Sequence, residues 1–131
     1  MNKILVLDFG SRFTKDIDDI LYRLNINHEV VKHDYDYQMV NEEVRGFILT
    51  GSMDTVYEGG RRCQGQFMKN SIPKLCICYG HQLINDEFNG IVAKAKIPEM
   101  DKQVEITIDI DNELCNGISK GCVAAFWAGK Y

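Results

Sequence analysis

Three short apolar runs, each halted by a glycine-bearing turn, constrain this chain more than any other feature. Ile4-Leu5-Val6-Leu7 stops at Asp8-Phe9-Gly10-Ser11, Phe47-Ile48-Leu49 stops at Thr50-Gly51-Ser52, and Leu75-Cys76-Ile77-Cys78 stops at Tyr79-Gly80. A half-exposed strand alternates apolar and polar residues. A strand buried on both faces does not, and burial on both faces belongs to parallel sheets covered by helices. The intervening segments carry the matching helical spacing. Ile17, Ile20, Leu21 and Leu24 recur at helical intervals, Asp16, Asp18, Asp19 and Arg23 take the other face, and Asn25 and Asn27 close the helix. Strands are expected at Lys3–Asp8, His28–Lys32, Gly46–Thr50 and Lys74–Cys78, the last introduced by Pro73. A second helix is expected over His81–Phe88, with Leu83, Ile84 and Phe88 inward and Asn89-Gly90 as its stop. The alternation predicts an α/β fold, a mainly parallel, doubly wound sheet flanked by helices.

Further on, the period changes. Val104, Ile106, Ile108 and Ile110 alternate with Gln103, Glu105, Thr107 and Asp109, as in a half-exposed strand of the kind common in antiparallel pairs. Cys122–Trp127 reads as one more strand. With 131 residues and neither linker nor repeat, the reading is one domain, 1–131. Hydrophobic residues make up 45% of the chain, too many for a disordered one. A net charge of −4 argues against a nucleic-acid or anionic-membrane surface as partner. Asp8 interrupts the first apolar run before a signal-peptide core would be complete, and no run approaches the ~20 residues of a membrane span. Five cysteines, an odd number, fit free thiols in a reducing compartment, and the expectation is a cytoplasmic protein. Cys76-Ile77-Cys78 is too tightly spaced for a zinc knuckle, and His28, His33 and His81 lack ligand spacing, so no metal is expected.

In doubly wound sheets ligands bind beyond the strand C-termini, which directs attention to Asp8–Arg12, Thr50–Glu58 and Cys78–Gln82. The sharpest of these is Lys74-Leu75-Cys76-Ile77-Cys78-Tyr79-Gly80-His81-Gln82. An apolar strand, a cysteine, a glycine two residues later and an immediate helix match a nucleophile elbow. Such a turn strains the backbone at the nucleophile and exposes its side chain. Gly80 is needed there because a Cβ would collide with neighbouring backbone. The helix N-terminus points free N–H groups at the same spot, stabilising negative charge that develops there. The bland alternative is that Cys78 is a buried strand cysteine on the same side as Cys76. Bland readings also cover the other polar features: a solvated loop for Asp34-Tyr35-Asp36-Tyr37 and for His33, and turn capping or cleft lining for Asp8. Asp109-Ile110-Asp111-Asn112 lacks the glycine and terminal glutamate of a calcium loop, and Trp127 is assigned to core or interface.

Taken together, several segments resemble the class I glutamine amidotransferases, and among them the amidotransferase domain of GMP synthase type. Those segments are Ile4 to Ser11, Gly46 to Ser52, Thr55-Val56-Tyr57-Glu58, Ile77-Cys78-Tyr79-Gly80-His81-Gln82-Leu83 and Asn89-Gly90-Ile91-Val92, in family order and spacing. The resemblance implies a flavodoxin-like sheet and a set of roles. Cys78 would be the nucleophile, and the backbone N–H of Tyr79 would form the oxyanion hole with one from the Gly51-Ser52 turn. Gln82, with Gly80, would serve substrate binding. Ammonia from glutamine would pass to a partner, an ATP-dependent synthetase that aminates XMP, with ATP and Mg bound there and no cofactor in this chain. Self-association is the other expected partnership. The family's catalytic pair sits in a His-Pro-Glu motif. No His follows His81 and no Glu follows Glu113, so the resemblance implies the N-terminal part of the domain, with its C-terminal part missing. Two main readings follow: a glutaminase component, or a catalytically inactive binding or regulatory relative. A third is a cysteine hydrolase of the wider elbow-bearing group, using a different acid or base.

Overall fold

The computed structural model describes residues 1–96, 102–107, 113, 116–117 and 121–126, and the chain falls into two units, Met1–Ala93 and Lys94–Tyr131. The first unit holds strands β1 (Lys3–Asp8), β2 (His28–Lys32), β3 (Val44–Leu49) and β4 (Lys74–Cys76), with helices α1 (Thr14–Arg23) and α2 (Tyr79–Glu87). All strand pairs in this unit are parallel, and the order is β2-β1-β3-β4. That order is the start of the flavodoxin-like arrangement, whose ligand crevice opens beyond the strand C-termini.

Two of the three apolar runs, those of β1 and β3, behave as strands covered on both faces, whereas the third does not, since Leu75 and Ile77 are exposed. Leu5, Leu7, Phe47 and Leu49 are buried in the larger cluster with Phe9, Val44, Phe67, Met68, Tyr79 and Leu83. Val6 and Ile48 are buried in a second cluster with Leu21 of α1, joined by half-buried Ile4 and Ile17. Both clusters draw on β1 and β3, which is why neither strand shows the polar alternation of a one-sided sheet. Ile20 and Leu24, expected inward, are exposed, as is Phe88 after α2. Only Ile17 and Leu21 of the predicted α1 stripe pack against the sheet.

Both helices end by the same device. Asn25 (φ 54) and Asn89 (φ 62) adopt the left-handed conformation just past the last turn. Asn25 N–H donates to Tyr22 O at 3.0 Å and Ile26 N–H to Leu21 O at 2.9 Å. Asn89 N–H donates to Asp86 O at 3.0 Å and Gly90 N–H to Asn85 O at 2.8 Å. These are paired Schellman bonds, with Asn accepting a conformation its short polar side chain tolerates.

Three short 3-10 turns, Tyr37–Met39, Val56–Glu58 and Gly65–Phe67, lie between the regular elements. The first corrects the solvated-loop reading of residues 34–37. Tyr35 and Tyr37 pack against the larger cluster, and the Tyr37 ring meets Phe67 edge-on at 5.0 Å. Phe67 in turn meets Phe47 edge-on at 5.4 Å, and Asp36 accepts the Gln38 N–H at 3.0 Å to start the turn.

His28 is held on both ring nitrogens. Nδ1 lies 2.7 Å from Ile26 O and Nε2 lies 2.7 Å from Asp18 Oδ1. Only the imidazolium donates on both sides at once, so its pKa is raised, first by the bond to Ile26 O and further by Asp18, against the opposing effect of burial. A pKa raised on folding stabilises the fold fully below the unfolded value of ~6.5, and that contribution is lost as pH climbs through the folded pKa. Urea midpoints are therefore expected to fall between about pH 6 and pH 8, with a smaller fall for His28→Gln. Equal slopes for the two chains would refute the assignment.

In the second unit, β5 (Lys102–Thr107) pairs antiparallel with β6 (Gly121–Phe126), Lys102 opposite Phe126 and Thr107 opposite Gly121. The strand expected at Gln103–Ile110 is thus an antiparallel one, and Glu105 and Thr107, placed on its polar side, are exposed. The readings of Ile108, Asp109-Ile110-Asp111-Asn112 and Trp127 lie outside the described residues.

Candidate active site

The ends of β1, β3 and β4 deliver three segments to one place, and the local chemistry of each explains how. At the end of β1, Asp8 Oδ1 accepts the Gly10 N–H at 2.9 Å and the Thr14 hydroxyl at 2.7 Å. Asp8 is the turn-capping residue, and it anchors the start of α1 as well. After β3, Thr50 is fully buried, and its hydroxyl accepts the Phe9 N–H at 3.0 Å and donates to Gly51 O at 3.1 Å. Thr50 N–H donates to Leu7 O at 3.2 Å, and Thr50 O accepts the Gly80 N–H at 3.1 Å. One residue therefore joins β1, β3 and the start of α2. Sequence reasoning misses this role, since an isolated threonine before a glycine resembles any turn residue. Thr50→Val is expected to cost ~1–3 kcal/mol by orphaning the buried Phe9 N–H, while Thr50→Ser stays near the parent. Chemical denaturation reads both, and a Val variant of parent stability would contradict the bond.

The third segment carries Cys78. The strand predicted to run to Cys78 ends at Cys76, although Ile77 N–H still donates to Leu49 O at 3.0 Å. Cys78 then turns out of the sheet at φ 51, ψ −109 and stands at the N-cap position of α2 without a side-chain capping bond, and α2 begins at Tyr79 rather than His81. A non-glycine residue at positive φ stores backbone strain, and here the result is exposure of the thiol. Cys78 is thus not a buried strand cysteine, and it does not share a strand with Cys76. A Cβ on Gly80 would lie 2.4 Å from Leu49 O and 2.8 Å from Leu49 Cβ, so glycine alone lets α2 start this close to β3. A Cβ on Gly51 would lie 3.3 Å from Cys78 Cβ and 3.7 Å from its Sγ, which places the Gly51-Ser52 turn beside the sulfur. Tyr79 N–H, the first in α2, has no acceptor within the helix.

Around this centre, Gln82 Oε1 accepts the Val56 N–H at 3.5 Å, so the Thr55–Glu58 segment and α2 meet at that side chain. Tyr79 is buried and its hydroxyl donates to Arg61 O at 2.5 Å. Its phenol pKa is raised, chiefly by burial and secondly by the Asp54 charge. Ser52 Oγ accepts the Asp54 N–H at 3.0 Å. Cys76 and Cys63 pack against the larger core cluster, and burial pushes both thiols up, Cys63 to about 11. His33 is half-buried, its ring stacked on Phe9 at 5.9 Å and its Nδ1 3.1 Å from Arg62 O, so it is not a solvated loop residue. His81 is exposed on the first turn of α2. Among the described residues no helix is long and apolar enough to cross a membrane. An exposed thiol on a strained turn, set between a glycine turn and an uncapped helix N-terminus, is equipped to attack an acyl carbon and to steady the resulting oxyanion.

Comparison with known proteins agrees with that geometry. A family model described as glutamine amidotransferase class-I matches residues 5–126. A GMP synthase (glutamine-hydrolyzing) of Lactobacillus gasseri is 34% identical over 122 residues, covering 91% of this chain and 23% of that protein. Its counterpart in Petrotoga mobilis is 35% identical over 109 residues, 82% of this chain and 21% of that one. The chain thus spans less than a quarter of the length of these relatives. Among solved structures, a candidate GMP synthase subunit from Thermoplasma acidophilum superposes with a TM-score of 0.82 at 25% identity, over 98% of this chain and 65% of that chain.

Proposed function

The chain belongs to the class-I glutamine amidotransferase family, and from that premise we propose that it acts as a glutaminase component of GMP synthase type. The observation that carries this reading is the elbow itself: Cys78 at φ 51, exposed, with Gly51 beside its sulfur and Gly80 packed on Leu49 O. The Cys78 thiolate attacks the side-chain amide carbon of glutamine. The resulting oxyanion is held by the N–H of Tyr79 and one from the Gly51-Ser52 turn, while Gln82 with Gly80 helps hold the substrate. The C–N bond then breaks, ammonia leaves carrying the proton that the Cys78 thiol gave up, and a γ-glutamyl thioester remains on Cys78. Water hydrolyses that thioester to glutamate and frees the thiol. The ammonia serves an ATP-dependent synthetase partner that aminates XMP, with ATP and Mg bound on the partner and not here. The domain is a single one by this reading, and its setting is the cytoplasm.

A second reading is favoured by where the histidines stand. His28 is engaged by Ile26 O and Asp18, His33 by Phe9 and Arg62 O, and His81 is exposed on α2. Among the described residues no hydrogen bond joins any of the three to Cys78, so a binding or regulatory relative that keeps the thiol is the alternative. Ammonia release from glutamine, assayed with and without an ATP-dependent XMP-aminating synthetase, separates the two. Release that depends on Cys78 supports the glutaminase. Modification of Cys78 by a glutamine analogue without turnover supports the binding relative, and neither modification nor turnover refutes both.

A further inference from the structure

The activity proposed above assigns nothing to Arg61, yet its contacts converge on all three segments that build the cleft. Its Nη1 donates to Asp54 Oδ2 at 3.0 Å and lies 3.4 Å from the Phe9 carbonyl and 3.5 Å from Ser52 Oγ. Its main-chain N–H donates to the same Asp54 Oδ2 at 2.8 Å, and its main-chain carbonyl accepts the Tyr79 hydroxyl at 2.5 Å. Phe9 stands in the loop after β1, Ser52 and Asp54 in the loop after β3, and Tyr79 directly follows Cys78. A planar guanidinium with five donors suits such bridging, whereas an ammonium offers one compact point of charge. Stability alone accounts poorly for the arrangement. The Arg61 side chain is 47% exposed and that of Asp54 24%, and an ion pair so open to water adds little. What the contacts do constrain is spacing, because one nitrogen is shared between the two loops flanking Cys78.

We infer that Arg61 is a positioning residue for the glutamine site. Its guanidinium fixes the loop after β1 against the loop after β3, and so aligns the Gly51-Ser52 turn with the Cys78 sulfur. It acts through these loops and does not touch the reacting atoms. The inference rests on the glutamine reading above, and its test separates the two.

Arg61→Ala keeps both main-chain bonds, since neither uses the side chain, and the loops lose only the guanidinium. Cys78 is modified in the parent and the variant by two reagents, a glutamine-derived chloroketone and iodoacetamide, and each rate is followed by peptide mass. The expected result is a loss of about tenfold or more with the chloroketone, because small misplacement of reacting groups is costly. The iodoacetamide rate should change by less than about twofold, since that reagent needs only an exposed thiol. Arg61→Lys retains the pair with Asp54 but not the bridge, and its chloroketone rate should fall between the other two. Hydrogen exchange reads the tie without any substrate: amides of residues 9–13 and 51–56 should exchange faster in Arg61→Ala, with β1 and β3 unchanged. Unaltered exchange, or equal rate losses with both reagents, would overturn the inference. A parent labelled by the chloroketone with an Arg61→Ala variant labelled equally fast overturns the inference alone. A parent that resists the chloroketone but reacts with iodoacetamide overturns the glutamine reading, and the inference with it.

Discussion

Gly80→Ala is expected to destabilise the Met1–Ala93 unit by about 3 kcal/mol or more, the upper end of what overpacking a core usually costs. The added methyl would lie 2.4 Å from Leu49 O, 2.8 Å from Leu49 Cβ and 2.9 Å from Leu49 C. None of these atoms is the tip of a flexible side chain. Leu49 is fully buried on β3, which is paired to β1 on one side and β4 on the other. Gly80 cannot retreat either, because its N–H donates to Thr50 O at 3.1 Å and to Ile77 O at 2.9 Å. Relief would require lifting the first turn of α2 away from the sheet, which breaks those bonds and unseats buried Tyr79 and Leu83. Thermal melts followed by circular dichroism read the loss. A variant with the parent's midpoint would show that α2 does not start against β3 as described.

The second large effect concerns the thiols. Alkylation by iodoacetamide near neutral pH is expected to reach Cys78 at least about a hundredfold faster than Cys63. The thiolate is the reacting form, and Cys63, half-buried with its pKa pushed up to about 11 by burial, holds roughly one thiolate in three thousand at about pH 7.5. Cys76 is half-buried and raised for the same reason. Cys78 is exposed. Denaturation should erase the contrast, since it removes the burial that protects the other two. Peptide mapping after brief labelling gives the rates, and similar native rates at Cys63 and Cys78 would contradict the burial described.

What is legible in the sequence and what is not divide along a physical line. β1 can be read to its end residues because burial and the turn that follows are written in consecutive positions, and β2, an edge strand with Glu29, Val30 and Lys32 exposed, because Asn27 and the polar residues after Lys32 bound it. The collision that forbids a side chain at Gly80 is readable too, since a strand, a cysteine, a glycine and a helix leave few ways to turn. The helix ends at Asn25 and Asn89 follow from residues that tolerate the left-handed region. Errors arise where distant partners decide. Tyr35 and Tyr37 look like loop residues because the ring that buries Tyr37 belongs to Phe67. Apolarity alone carries the strand on to Cys78, whereas β4 ends at Cys76, although the strained, exposed turn at Cys78 is itself legible in the strand–glycine–helix pattern. Thr50 falls in a segment the sequence marks, but nothing there gives its bonding role, and Arg61 is not marked at all. Their importance lies in bonds to residues far along the chain, such as the contact of Arg61 with Phe9, 52 positions away.

That dependence on distant residues has a kinetic consequence. The cleft has no local precursor: Phe9 and Thr50 are joined across 41 residues, and β3 and β4 must pair before Cys78 can face Gly51. Closing such loops costs chain entropy before any contact returns it, so non-local sites assemble late in folding. Helical signal from α1, whose contacts are near neighbours, should return early after dilution from denaturant. Selective reactivity at Cys78 should return last, which makes this one sulfur a clock for completion of the parallel sheet.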